Sequence, residues 1–206
     1  MGLVKLNDRG VRSATAFGSL NTGSMTFIKK LTSDGSDDTL SFVDGTDDVV
    51  IDSTYKEYLF LFKDIHPETN GANLSFQGNA AGGSGYNETI TSTFFSAYHN
   101  EADTAAAIVY DTGSDQAQGT AFQAIDTGIG NDNDQCKVGY LHLFNPSSTT
   151  FVKHFICVSN YYVASDYSQQ DHIAGYFNTT SAIDEIQFKM SADEIQGGTI
   201  SLYGIK

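Results

Sequence analysis

The chain has 206 residues and a formal net charge of −14, and this negative charge argues against a nucleic-acid-binding protein because contact with phosphates needs clustered Lys and Arg. A chain of this length buries a core without needing a metal ion or a disulfide. Twenty Gly, 14 Phe and 11 Tyr, with only two Pro and no Trp, favour many turns joining aromatic strands over helices.

The N-terminal part of the chain differs in charge from the rest. Residues 1–33 carry five basic side chains and one Asp, whereas residues 34–206 carry six basic and 24 acidic side chains. We therefore predict a basic arm with a first strand, followed by an acidic body. Two interpretations of the arm stay open. It is a solvated terminus, or Lys5, Arg9 and Arg12 anchor it on an acidic neighbour such as another copy of the body.

Short aromatic and β-branched segments separated by polar turns predict about ten strands. The most apolar segment, residues 51–65, includes the run from Tyr58 to Phe62 and is ended by Pro67. We predict that it is a strand apolar on both faces, in the middle of the core, and paired with residues 72–77 in an antiparallel hairpin. Further strands are predicted at 3–6, 25–31, 39–43, 89–98, 108–110, 138–144, 149–158, 173–177, 183–190 and 199–205.

Two regions carry the clearest structural signals. Residues 138–144 and 149–158 are separated by a four-residue turn, so they are expected to form a hairpin. Apolar and polar side chains alternate along residues 183–190, as in a strand buried on one face. No helix is predicted and composition does not change after residue 33. The sequence thus predicts an all-β protein, an antiparallel jelly-roll-type β-sandwich with an extended N-terminal arm, whose sheet edges are covered by other copies of the chain.

Three Asp-rich turns are the candidates for a calcium site. They lie at residues 34–38, 44–48 and 130–134 and offer the oxygen ligands that calcium prefers. Asp and Gly are also the residues that tight turns select, so we expect ordinary turns, and calcium binding stays open.

The histidines and cysteines give only a weak metal signal. The best combination is His142, His154 and Cys157, which lacks the close ligand pair typical of zinc sites. We expect no metal and no cofactor, and we expect Cys136 and Cys157 to be buried free thiols, with a disulfide between them as the alternative. No nucleophile motif precedes a helix, and the chain is predicted not to be an enzyme. No apolar run is long enough to span a bilayer, so no membrane contact is expected.

Recognition on a β scaffold usually lies in long polar loops. The segments 78–86 and 111–135 are predicted to be such loops and to face outward. Tyr161, Tyr162 and Tyr167 are candidate glycan contacts, because an aromatic ring stacks on a sugar ring. Ordinary packing of amphipathic aromatic residues explains the same tyrosines equally well.

Similarity to a known family runs almost from end to end, in residues 4–7, 14–20, 51–58, 65–67, 95–101, 128–134, 141–148, 153–155 and 198–205. On these segments the chain resembles a family of structural proteins from tailed phages of marine bacteria, especially cyanophages, described as tail-fibre-like or virion structural proteins. The resemblance implies a virion component that is assembled in the host cytoplasm as a homotrimer and contacts other capsid or tail proteins. No shaft of repeats precedes the body, which favours a capsid decoration or a small head or tail knob.

Two function hypotheses follow. The first is a non-enzymatic structural subunit displayed on the virion surface and anchored by its N-terminal arm. The alternative is a carbohydrate-binding or depolymerising host-recognition module of a tail fibre, which binds a host surface glycan.

Overall fold

The computed structural model describes residues 24–206. In this part the chain forms thirteen β-strands and no helix, so no described helix could cross a membrane. The predicted segment at residues 3–6 lies outside the described residues. The strands are β1 (Met25–Thr32), β2 (Thr39–Val43), β3 (Glu57–Pro67), β4 (Leu74–Ala80), β5 (Ile90–Asn100), β6 (Ala106–Tyr110), β7 (Ala117–Gly119), β8 (Gln123–Ala124), β9 (Lys137–Phe144), β10 (Lys153–Val163), β11 (Tyr167–Phe177), β12 (Ile183–Met190) and β13 (Ile195–Ile205).

The strands form two sheets that face each other. One sheet has nine strands, in the order β1-β13-β3-β9-β10-β11-β5-β6, with β7 also paired to β5. The other has four, in the order β2-β12-β4-β8. All pairings are antiparallel. This confirms the predicted all-β antiparallel sandwich.

Aromatic side chains from the two sheets meet edge to face in the core. The ring centroid of Phe188 on β12 lies 5.5 Å from that of Phe60 and 5.4 Å from that of Phe62, both on β3. Farther along the sheets, the ring of Phe76 on β4 lies 5.0 Å from that of Phe155 on β10. All five rings are buried. Such pairs add about 0.5–1.5 kcal/mol each beyond the area they bury, so they hold the sheets together.

The predicted alternation along β12 and the predicted β9–β10 hairpin are both confirmed. On β12, Ile186, Phe188 and Met190 are buried, and the side chains between them are partly exposed. β10 pairs with β9 so that Phe155 lies opposite Leu143. The connection is residues 145–152, so it is longer than the predicted four-residue turn, and β10 begins at Lys153 rather than at residue 149.

The structure corrects two predictions about β3. This strand lies between β13 and β9, with Tyr58, Phe60 and Phe62 buried in the core. Leu59 and Leu61 face away from the core and are partly exposed, so burial on both faces was wrong. β4 does not pair with β3, so the predicted hairpin was wrong as well. β3 and β4 each have a row of apolar side chains that must be buried. Because β4 lies in the opposite sheet, the two rows face each other across one core.

Five strands, β5–β7 and β10–β11, lie beyond β9 in the larger sheet. Without them, eight strands remain, in chain order β1, β2, β3, β4, β8, β9, β12 and β13. When these eight strands are numbered from 1 to 8 in chain order, the larger sheet has the order 1-8-3-6 and the smaller sheet the order 2-7-4-5.

The long polar segment 111–135 covers part of the core side of β5, β10 and β11, and the prediction that it faces outward was wrong in part. Gln123, Ile125, Asp126 and Ile129 are buried, whereas residues 132–134 are exposed. One end of β10 and β11 faces β4, where Phe76 contacts Phe155 and Phe177. Farther along β10 the segment takes the place of a strand, because Ser159 donates to the Ile125 carbonyl and the Thr127 amide donates to Tyr161.

The glycine-rich segment 78–86 also differs from its prediction. β4 continues to Ala80, and Gly78 and Asn79 are buried. Residues 81–85 are exposed, so the outward-facing loop is shorter than predicted.

Candidate functional site

The solvent side of four strands of the larger sheet carries a surface of apolar and neutral polar side chains, which we call the outer face. It consists of every second residue of β9 from Val138 to Phe144, of β10 from His154 to Tyr162, of β11 from Ser168 to Tyr176 and of β5 from Thr91 to His99. None of these residues is Asp, Glu, Lys or Arg, although the chain contains 25 acidic residues. The outer face therefore lacks the charge that dominates the rest of the surface.

Large apolar side chains at the centre of the outer face are open to solvent. The exposed fraction is 45% for Ile156, 43% for Val138, 42% for Phe95 and 37% for Tyr140. At the neighbouring sheet edge, Ile108 of β6 is 79% exposed. Contiguous apolar surface on a soluble protein marks an interaction site.

Four of the five histidines lie on the outer face, and their partners differ. His142 Nε2 lies 2.8 Å from a carboxylate oxygen of Glu57, and His99 pairs at 3.0 Å with Asp103. The His172 ring stacks flat on Phe95, with centroids 4.9 Å apart.

The structure does not bring the predicted metal ligands together. His142 and His154 lie on the same face of neighbouring strands, but Cys157 faces the core, because one residue of offset along a strand reverses the side chain. No group of three His, Cys, Asp or Glu suited to a metal ion occurs in residues 24–206. Cys136 and Cys157 are free thiols, Cys157 buried and Cys136 partly exposed.

Two of the three Asp-rich segments, 34–38 and 44–48, use their carboxylates to hold the chain in its turns. Asp34 Oδ1 accepts hydrogen bonds from the backbone and hydroxyl of Ser36, at 3.0 and 2.7 Å. Asp44 Oδ1 accepts one from the Ile51 amide at 2.8 Å. Lys5, Arg9 and Arg12, the predicted anchoring residues, lie outside the described residues.

All three candidate glycan tyrosines lie at one surface cleft of about 400 Å³, but only Tyr162 and Tyr167 present their rings to solvent. Glu101, Asp134 and Asn160 line the same cleft. The cleft lies where β10 ends and β11 begins. Its aromatic and oxygen-bearing side chains are the groups that sugars contact.

The third candidate, Tyr161, is buried and cannot stack on a sugar, so this assignment is corrected. Its side chain is 2% exposed because Tyr161 is one residue out of phase with Tyr162 and faces the core. The Tyr162 hydroxyl donates to Glu101 at 3.0 Å, and this hydrogen bond raises the pKa of Tyr162 to about 12. Tyr162 therefore stays a neutral phenol under ordinary conditions.

A buried polar network lies beneath the segment that covers β9–β11. Lys137 Nζ is 2.7 Å from Asp126 Oδ2, and both side chains are fully buried. Tyr161 donates its hydroxyl hydrogen to Asp171 at 2.9 Å and accepts one from the Thr127 amide at 2.9 Å. Burial raises the pKa of Asp126 and of Asp171, and the nearby Lys137 opposes this only in part.

Sequence reasoning missed this network, although its signal is present. Lys137 is in phase with Leu141 and Leu143, which face the core, and Asp171 is in phase with Ile173. A charged residue in phase with apolar residues of a strand indicates a buried charge that needs partners.

Comparisons with protein-family models, curated proteins and solved structures found no match for this chain.

Proposed function

We propose that this chain is a non-enzymatic structural subunit of a phage particle, a compact β-sandwich displayed on the virion as a capsid decoration or a head or tail knob. The observation that carries the proposal is the outer face. A sheet surface without Asp, Glu, Lys or Arg, on which Phe95, Tyr140 and Ile156 are exposed, suits a subunit that works by assembly, and the sequence resembles phage structural proteins.

The occupant of the outer face is another copy of the same chain. The chain has a net charge of −14, so two copies repel each other over most of their surface. The outer face lacks carboxylates, and copies meet there with the least repulsion. A basic partner would instead select a surface that carries Asp and Glu.

The outer face is large enough for a stable contact. Strands lie about 4.8 Å apart and outward residues about 6.8 Å apart along a strand, so the four strands of the outer face, with four or five outward residues each, offer about 600 Å². Specific interfaces bury from about 600 Å² upward on each partner. Closed association of three copies, as the family resemblance implies, covers the face and leaves no open end.

We further infer that the eight strands common to both sheets have jelly-roll connectivity, two Greek keys wrapped into a sandwich. The strand order supports this inference. The N-terminal arm with Lys5, Arg9 and Arg12 serves in this proposal as the anchor on an acidic capsid or tail protein, because its charge is opposite to that of the body.

Particle association tests the function. Purified particles from the phage that encodes the chain are expected to contain it, and particles made without it are expected to bind the purified protein. Removal of residues 1–23 is expected to abolish binding and leave the folded body intact. Particles that neither contain nor bind the chain would refute the proposal.

A second candidate function is recognition of a host surface glycan at the cleft. The observation that favours it is the meeting of Tyr162 and Tyr167 with Glu101 in one cleft. A glycan array read with wild-type protein and with Tyr167→Ala tests this candidate. Tyr140→Ala, on the outer face and outside the cleft, is the matched control. Binding that Tyr167→Ala abolishes and Tyr140→Ala retains would support it, and release of reducing ends would indicate a depolymerase.

A further inference from the structure

A buried lysine and a buried aspartate are in direct contact beneath the segment that covers β9 and β10. The distance from Lys137 Nζ to Asp126 Oδ2 is 2.7 Å. Because Oδ2 is bonded to the carboxyl carbon, this contact also brings Nζ close to the carbon atom that it would attack. We propose that Lys137 and Asp126 condense into an intramolecular amide bond that crosslinks the covering segment to β9. This inference does not depend on the proposed function.

The electrostatics of the site favour the neutral carboxylic acid that condensation needs, because burial raises the pKa of Asp126. Asp126 and Asp171 are both buried and both interact with the ammonium of Lys137. One ammonium cannot neutralise two carboxylates. Removing a charged group from water costs free energy, whereas removing a neutral amine and a neutral carboxylic acid costs much less. Proton transfer from Lys137 to Asp126 gives the reactive pair without an outside base.

The backbone holds the carboxyl group in place for attack. The Leu74 amide donates to Asp126 Oδ2 at 3.0 Å and the Gly128 amide donates to Oδ1 at 3.2 Å. Lys137 Nζ also donates to the Ile125 carbonyl at 2.6 Å, which fixes its position. The two amides are placed to stabilise the negative charge that grows on oxygen as the carbon is attacked.

The reaction balances with the groups present. The lone pair of neutral Lys137 Nζ forms a bond to Cγ of Asp126, and the bond from Cγ to one carboxyl oxygen breaks. That oxygen leaves as water, with the carboxyl proton and one proton from Nζ. The product is a secondary amide, and the buried site keeps out the water that would reverse the step.

Mass spectrometry of the denatured wild-type chain tests the bond. The intact mass is expected to be lower than the sequence mass by one water molecule. Trypsin does not cut after an acylated lysine, and Lys137 is the sole internal tryptic site between residues 64 and 153. Digestion is therefore expected to leave residues 64–153 in one peptide that carries the whole deficit.

Asp126→Ala is the control, and it is expected to have its full sequence mass and to be cut after Lys137. Both readouts use denatured protein, so they do not depend on how well the variant folds. The proposal is overturned if the wild-type chain has its full mass and is cut after Lys137, or if Asp126→Ala shows the same deficit.

Discussion

At the scale of single residues, close packing makes Gly175 on β11 irreplaceable. A Cβ there would lie 2.5 Å from the Thr91 carbonyl oxygen and 2.7 Å from the Phe155 ring. We expect Gly175→Ala to lower the free energy of unfolding by about 1–3 kcal/mol, as overpacking does. Chemical denaturation measures the change. In Gly197→Ala the nearest atom is 4.0 Å away, so that control is expected to stay within about 0.5 kcal/mol of wild type.

Buried Asp171 makes stability depend on pH. Burial raises its pKa above the ordinary value of 3.8. A carboxyl with a raised pKa in the folded state stabilises the fold while it is protonated, and this contribution is lost as the pH rises through the folded pKa. The wild-type protein is therefore expected to lose stability relative to Asp171→Asn as the pH rises from about 4 to neutral.

Denaturation midpoints of wild type and Asp171→Asn at both pH values measure this difference. Asp132→Asn, on an exposed turn, is the control and is expected to follow wild type at each pH. A constant difference between wild type and Asp171→Asn would contradict a raised pKa at Asp171.

The sequence predicted correctly which side chains are buried where apolar and polar residues alternate cleanly along a strand. It failed where burial depends on a shift of one residue along the strand. The alternation of Ile200 and Leu202 with Ser201 is present in the structure. The same rule, applied to Tyr161 and Tyr162, places only the second of them at the surface. The difference was hidden because the residues around both tyrosines are polar. The apolar part of β10 ends at Val158, but the strand and its alternation continue to Val163, so Tyr161 still faces the core.

At the scale of elements, Phe76 on β4 joins the two sheets. Its ring contacts Phe155 and Phe177 of the larger sheet, with centroids 5.0 and 6.1 Å away. We expect Phe76→Ala to lower the free energy of unfolding by about 3–5 kcal/mol, the usual cost of emptying a core aromatic site. Phe151, 69% exposed in the turn before β10, is the control, and Phe151→Ala is expected to change stability by less than about 0.5 kcal/mol. Equal effects of the two substitutions would contradict a core joined at Phe76.

Most strands were predictable from sequence, although β7 and β8 were missed and β11 begins at Tyr167 rather than at residue 173. Pairing was predicted correctly for β9 and β10, which follow each other in the chain, whereas β3 pairs with β13 at the far end of the chain. Local sequence holds no information about such distant pairing. The covering role of residues 123–129 was equally hidden, because it depends on contacts with β9 and β10.

At the scale of the whole molecule, the surplus of apolar strand surface is the main finding. β3 has apolar side chains on both faces, but only one face is buried in the core. The same holds for β9 and β10, where Tyr140 and Ile156 face solvent. A chain with so many acidic residues keeps them off this one surface, which is the pattern expected of a contact between copies.

The molar mass in solution, measured by light scattering on the eluting protein, tests this account most directly. Wild type is expected to have the mass of three chains, and Ile156→Asp the mass of one, because a charge at the centre of the outer face disrupts the contact. Phe151→Asp, outside the outer face, is the matched control and is expected to keep the wild-type mass. A single-chain mass for wild type, or an unchanged assembly in Ile156→Asp, would contradict the account.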